Sequence, residues 1–194
     1  LRTIKSLLYS ARDPKLENLK INFIVIDHNS TNENLKVIDN TFKAFGKKYL
    51  LINLDVSKYS QKIEKLNQRG EQVTNNQKSN MANIHQSLLE AKKCNDLIYF
   101  VEDDYLHTLN SIVEMILTYE KFYSLFSQEV ILLPSDYPYL YTKDENTKVY
   151  LGEKKHWRLV SESLVTFMTS KTLIDKYFSE LEKMGIEWTD PWEE

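Results

Sequence analysis

Apolar positions divide the chain into alternating helix-like and strand-like segments. Ile4, Leu7 and Leu8 fall at helical spacing, and the turn signal at Asp13-Pro14 ends that short helix. Ile21-Asn22-Phe23-Ile24-Val25-Ile26 is a compact run rich in β-branched side chains, which predicts a buried strand ended by Asp27-His28-Asn29-Ser30. Leu35, Ile38, Phe42 and Phe45 then recur at helical spacing with Gly46 as the stop, and a second strand follows over 49–54. Residues 57–66 can form a helix, 67–79 read as a polar flexible loop, and Met81, Ile84, Leu88 and Ala91 share one helical face. Leu97-Ile98-Tyr99-Phe100-Val101 is the clearest strand, stopped by Glu102-Asp103-Asp104. A long amphipathic helix from Leu106 to Leu117, a strand over 130–133, an irregular segment over 134–157, a strand over 164–168 and a helix over 172–184 complete the pattern.

Strands alternating with helices predict an α/β domain with a mostly parallel twisted sheet, helices on its faces and right-handed crossovers. Ligands of such sheets bind at the carboxyl ends of strands. Asp27 and the Glu102-Asp103-Asp104 triplet, both at strand ends, are therefore expected to line one crevice, with 134–157 near its rim.

Composition narrows the possibilities. The 194 residues suit a single domain, and 25 Lys+Arg against 28 Asp+Glu give a net charge of −3, which offers nucleic acid no overall attraction. No apolar run reaches the roughly 18–20 residues a membrane span needs. One cysteine, Cys94, excludes an internal disulfide, and four scattered glycines write neither a dinucleotide fingerprint nor a phosphate loop. The chain opens Leu1-Arg2-Thr3, without a start methionine or leader, and reads as a piece of a longer protein.

Three consecutive carboxylates after a buried strand repel one another unless a cation sits nearby. Hard divalent ions take one or two carboxylates, with substrate phosphates completing the shell, so the triplet suits a metal–diphosphate. The competing reading makes Asp104 the N-cap of a helix starting near Tyr105. Asp27 has the same two readings: an acceptor for a nucleobase or ribose, or part of a turn in which Ser30, Thr31 or Asn32 caps the next helix.

The run Phe23-Ile24-Val25-Ile26-Asp27-His28-Asn29-Ser30-Thr31-Asn32 resembles the first acidic motif of nucleotide-sugar glycosyltransferases with the GT-A fold, especially the family 2 enzymes. The helix over 80–91, the strand over 97–101 and Glu102-Asp103-Asp104 are similar to that family's helix, strand and DXD-type metal motif. The resemblance implies a GT-A-like, Rossmann-like fold whose usual first strand would precede Leu1. It divides the chain into a nucleotide-sugar half over 1–133 and an acceptor half over 134–194. It gives Asp27 and the adjoining Asn29 to the nucleotide, Glu102 or Asp103 to the ribose and metal, and Asp104 to the Mn²⁺ or Mg²⁺ ion bridging the diphosphate. The arginine that the family often carries on the helix before the triplet is absent, and Lys78, Asn80 or Asn83 stands in for it.

The activity so implied is metal-dependent transfer of a sugar, with inversion, from a nucleotide-diphosphate donor to a hydroxyl acceptor. A UDP-sugar is the favoured donor, and the acceptor is a glycan, a lipid-linked hydroxyl or another alcohol. The expected location is cytoplasmic, peripheral to the inner membrane through parts outside this chain. His156 and Trp157 close the irregular segment and could meet a phosphate or sugar. Such a transfer needs a carboxylate base, and the acidic, tryptophan-bearing end of the chain supplies Asp190, with Glu193 as a substitute; a solvated acidic tail is the plain alternative. The rival activities are a catalytically silent nucleotide- or carbohydrate-binding module and a nucleotidyltransferase on a related fold.

Overall fold

The structure, a computed structural model, describes residues 1–67, 69–135, 137, 141–142, 147–160 and 165–187. Along the chain run α1 (Arg2–Ser10), β1 (Phe23–Asp27), α2 (Asn32–Ala44), β2 (Tyr49–Asn53), α3 (Asn75–Ala91), β3 (Leu97–Tyr99), α4 (Ser111–Phe126), β4 (Val149–Leu151), β5 (His156–Arg158), β6 (Met168–Ser170), α5 (Lys171–Lys176) and α6 (Phe178–Glu182). The protein is thus mixed α/β. It divides into two compact units, one built from Leu1–Ile21 with Leu97–Ser170 and the other from Asn22–Asp96 with Lys171–Glu194. No helix among the described residues is long and apolar enough to cross a membrane.

The second unit contains the parallel pair that the alternation predicts. β1 and β2 run side by side in the register Phe23↔Tyr49 to Asp27↔Asn53, joined through α2. Thr31 caps α2 by accepting from the Asn34 amide, and Gly46, at φ +62°, ends it in the left-handed region that glycine enters without strain. Phe42 on α2 stacks on Tyr49 with ring centroids 4.3 Å apart, which fixes the helix over the sheet edge. A core of Leu54, Tyr59, Ile63, Val73, Met81 and Ala82 lies beneath α3.

Three expectations need correction in this unit. The helix over 57–66 is only a 3-10 turn over Val56–Tyr59: Asp55 accepts from the Ser57 amide and hydroxyl, and the Ser60 hydroxyl donates to the Ser57 carbonyl, so local side chains compete with helix propagation. The polar loop over 67–79 is a closed turn followed by helix. Asn67 Oδ1 accepts from the Arg69 and Glu71 amides, and α3 already starts at Asn75 behind a capping box between Thr74 and Gln77. The helix over 172–184 is broken at Tyr177, whose φ of −115° leaves the helical region.

His85 on α3 is the most confined polar side chain of this unit, only 1% exposed. Neither ring nitrogen has a hydrogen bond, Tyr59 meets the ring edge-on, and Glu182 Oε1 lies 3.4 Å from Nε2 without hydrogen-bond geometry. Burial, then the Lys62 ammonium, hold the imidazole below its ordinary pKa against a weaker pull from Glu182. A histidine so depressed resists a proton that the unfolded chain accepts, so stability is fully present above the ordinary value near 6.5 and declines as pH falls below it. Urea unfolding at pH 7.5, 6.5 and 5.5 should show that decline, and His85→Leu should flatten it. An unchanged slope in the variant would contradict this assignment.

The first unit pairs its strands antiparallel, which differs from a mostly parallel sheet: β3 lies against β6 from Leu97↔Ser170 to Tyr99↔Met168, and β4 forms a hairpin with β5. The strand expected over 130–133 reduces to a single bridge between Leu132 and Met168. The irregular segment over 134–157 ends in the β4–β5 hairpin instead of remaining without structure. The hairpin is anchored on α4 through Glu114, which accepts from the Lys154 and Lys155 amides of its turn and the Trp157 indole of β5, and Tyr150 sits between Phe122 and Phe126 of that helix. The helix expected from Leu106 begins only at Ser111; Leu106 and Leu109 are 68% and 72% exposed. Its first turn is satisfied from elsewhere, because the Ser10 hydroxyl of α1 accepts from the Ile112 amide at 2.9 Å.

Candidate functional site

The carboxyl end of β1 turns sharply. Asp27 accepts from the Ser30 amide at 3.3 Å, and Asn29 takes φ +63°, a conformation that asparagine tolerates better than most residues. Thr31, not Asp27, caps α2. His28 Nδ1 shares a hydrogen bond of 2.6 Å with the Ser79 hydroxyl, and Asn83 donates to the Ile26 carbonyl at 3.3 Å. α3 is thereby tied to the strand end that carries Asp27.

Lys78, adjoining Ser79 on α3, lines a cavity of about 190 Å³ with Val56, Ser60, Ile63, Lys65, Gln72 and Val73. Neither lysine ammonium has an ion-pair partner among the described residues. The two lysines thus bring positive charge beside the apolar side chains Val56, Ile63 and Val73. Asn80 is exposed on the same helix. Lys65 and Gln72 were not distinguishable by sequence, since their approach to Lys78 depends on the Leu66–Gln72 bridge that closes the turn.

The triplet belongs to the other unit. The backbone ladder of β3 with β6 extends to a bond from the Phe100 amide to the Phe167 carbonyl at 2.9 Å and then stops. At the next outward position Thr166 replaces it: its Oγ1 accepts from the Glu102 amide at 3.2 Å and donates to Glu102 Oε2 at 2.9 Å. Burial raises the Glu102 carboxyl above its ordinary value, and Asp104 and Asp103 add to this against the opposing Thr166 bond. Asp103 and Asp104 are exposed in a turn, and the Asp103 carbonyl accepts from the Thr3 hydroxyl.

Asp104 caps no helix, because α4 starts at Ser111 with Asn110 before it. No lysine or arginine ion-pairs with the triplet among the described residues. Beside it, the Tyr105 and Tyr137 hydroxyls share a hydrogen bond, and burial with that bond pushes the Tyr137 phenol up. His107 holds the following segment down: its Nε2 meets the Tyr99 hydroxyl at 2.9 Å, and its amide donates to Ser6 at 3.0 Å.

Carboxylates without a basic partner supply oxygen ligands of the kind a hard divalent cation takes. Among the described residues no three His, Cys, Asp or Glu side chains converge into a cage, so the protein's share would be one or two carboxylates with the rest from a bound phosphate or water. His156 is exposed at the start of β5. The Trp157 indole N–H donates to Glu114 at 3.3 Å, which commits that edge of the ring to anchoring the hairpin. Asp190 and Glu193 lie outside the described residues.

No protein-family model, no curated protein and no solved structure matches this chain.

Proposed function

We propose that this chain is a metal-dependent glycosyltransferase of the GT-A type, moving a sugar from a nucleotide-diphosphate donor, a UDP-sugar in the first instance, to a glycan, lipid-linked or other hydroxyl acceptor on the cytoplasmic side. The observation that carries the reading is the state of the triplet. Three adjacent carboxylates stand at a strand exit, Asp104 is free of any capping duty, and no basic side chain neutralises them among the described residues. The two aspartates press the Glu102 carboxyl upward, an effect that a bound cation would offset.

In this reading Asp104 and Glu102 would hold Mn²⁺ or Mg²⁺ and Asp103 would meet the ribose; the assignment of Asp27 to the nucleobase rests on the family resemblance alone. An ion held there would supply charge stabilisation to a departing diphosphate. The chain's own contribution is to bind and orient the donor, to keep Glu102 fixed, and to accept the acceptor's proton at a carboxylate, for which Asp190 is the proposed group and Glu193 the substitute.

The test is calorimetric titration of UDP and other nucleoside diphosphates with and without Mn²⁺. Asp104→Asn keeps the shape and local hydrogen-bonding capacity of the side chain while removing its charge. It should weaken Mn²⁺ binding by roughly tenfold or more, with an unchanged melting curve, and abolish the metal-dependent part of UDP binding. Wild-type Mn²⁺ affinity in Asp104→Asn would refute the assignment. UDP binding without sugar transfer to any acceptor would leave a binding module.

A further inference from the structure

We infer that Thr166 is a positioning residue for Glu102, locking its carboxylate in place before a cation arrives. Thr166 is 2% exposed and lies 64 positions away in sequence. One hydroxyl makes both contacts, accepting from the Glu102 amide at 3.2 Å and donating to its Oε2 at 2.9 Å. The glutamate's backbone and its carboxylate are thereby tied to the same atom, which closes a ring through the side chain and removes most of its rotational freedom.

The position of this clamp follows from the sheet. The last backbone bond of the β3–β6 ladder joins Phe100 to Phe167, and Phe167 packs its ring on Phe100 with centroids 4.7 Å apart. Thr166 is thus held by the residue beside it, and a side-chain hydroxyl takes over where the ladder runs out. The clamp uses Glu102 Oε2 alone; among the described residues Oε1 accepts no hydrogen bond. A carboxylate already held in one rotamer binds a cation without first surrendering that freedom, which is how outer groups tune metal ligands.

The role of the carboxylate as a ligand rests on the metal reading above; the clamp itself does not. Two measurements separate them. In the metal-free protein, Thr166→Val should accelerate hydrogen exchange at the Glu102 amide by about tenfold or more, leaving Phe100 unaffected, and Thr166→Ser should restore slow exchange. With Mn²⁺ added, Thr166→Val should lower affinity by roughly 10–100-fold, the range for lost outer-shell partners, and Thr166→Ser should recover it. In a Glu102→Gln background the same valine substitution should add no further loss of Mn²⁺ affinity.

Slow Glu102 exchange in Thr166→Val overturns the clamp whether or not metal binds. Fast exchange in the valine variant, rescue by serine and no Mn²⁺ binding by the wild type would keep the clamp and refute the metal reading. Unchanged Mn²⁺ affinity in a valine variant with fast exchange would overturn the positioning role. Thr166→Ala, which also lacks the hydroxyl but not its small size, serves in place of the valine variant if the latter does not fold.

Discussion

Glu114→Ala lowers the unfolding free energy by about 3 kcal/mol, because several charge-assisted hydrogen bonds are lost together. The carboxylate is only 6% exposed on α4. It accepts from the Lys154 amide at 2.9 and 3.1 Å, the Lys155 amide at 3.0 Å, the Thr118 hydroxyl at 3.2 Å and the Trp157 indole at 3.3 Å. Every one of these partners is a donor, so a carboxylate is the group the pocket is built around. Glu114→Gln turns one acceptor into a donor facing donors, and it should destabilise nearly as much as alanine does.

Burial alone would raise this carboxyl, but the two amides, the indole and the hydroxyl outweigh it and hold it below its ordinary value of 4.5. Its contribution is therefore present above that value and lost as pH falls through the depressed one. Urea unfolding of the wild type and both variants at pH 7 and pH 3 provides the check. A glutamine variant as stable as the wild type would show that shape, not charge, holds the hairpin.

Gly185→Ala costs about 3 kcal/mol, at the upper end of what overpacking a filled core does. An added Cβ would lie 2.8 Å from both the backbone nitrogen and Cβ of His85 and 3.0 Å from its Cα. Those atoms belong to the middle of α3, where the helix ladder leaves no slack. Gly46 is the contrast: it needs its positive φ, but nothing lies within 4 Å of the added atom, so Gly46→Ala costs only the left-handed backbone penalty of about 1–2 kcal/mol. Thermal unfolding of the two variants side by side should rank them in that order; equal losses would mean that α3 yields at His85.

These features bear on what could be read from the chain beforehand. β1, α2 and β2 were legible because each carries its own signals: a β-branched run, helical spacing, a stop glycine. The start of α4 was not, since the group receiving the Ile112 amide is Ser10, 102 positions earlier. The hairpin was hidden for the same reason, its turn being organised by a glutamate on another element. The start of α3 was legible but masked by polarity: Thr74 and Gln77 write a capping box inside what reads as a loop. At the candidate site, the triplet's place at a strand exit follows from the apolar run before it. That Asp104 caps nothing, and that Thr166 holds Glu102, depend on pairings between distant segments which no local pattern encodes.

Each of the two units is assembled from two stretches of chain separated by a stretch belonging to the other. This has a consequence for biosynthesis. When a ribosome has released residues 1–96, it has supplied the opening segment of one unit and the larger segment of the other, and neither is whole. The first unit closes only as β6 arrives to pair with β3, and Gly185 reaches His85 later still. Neither unit closes on neighbouring segments alone: β3 waits for β6, and α3 waits for the segment that carries Gly185. Chaperone dependence and slow refolding are the behaviours such long-range closure favours.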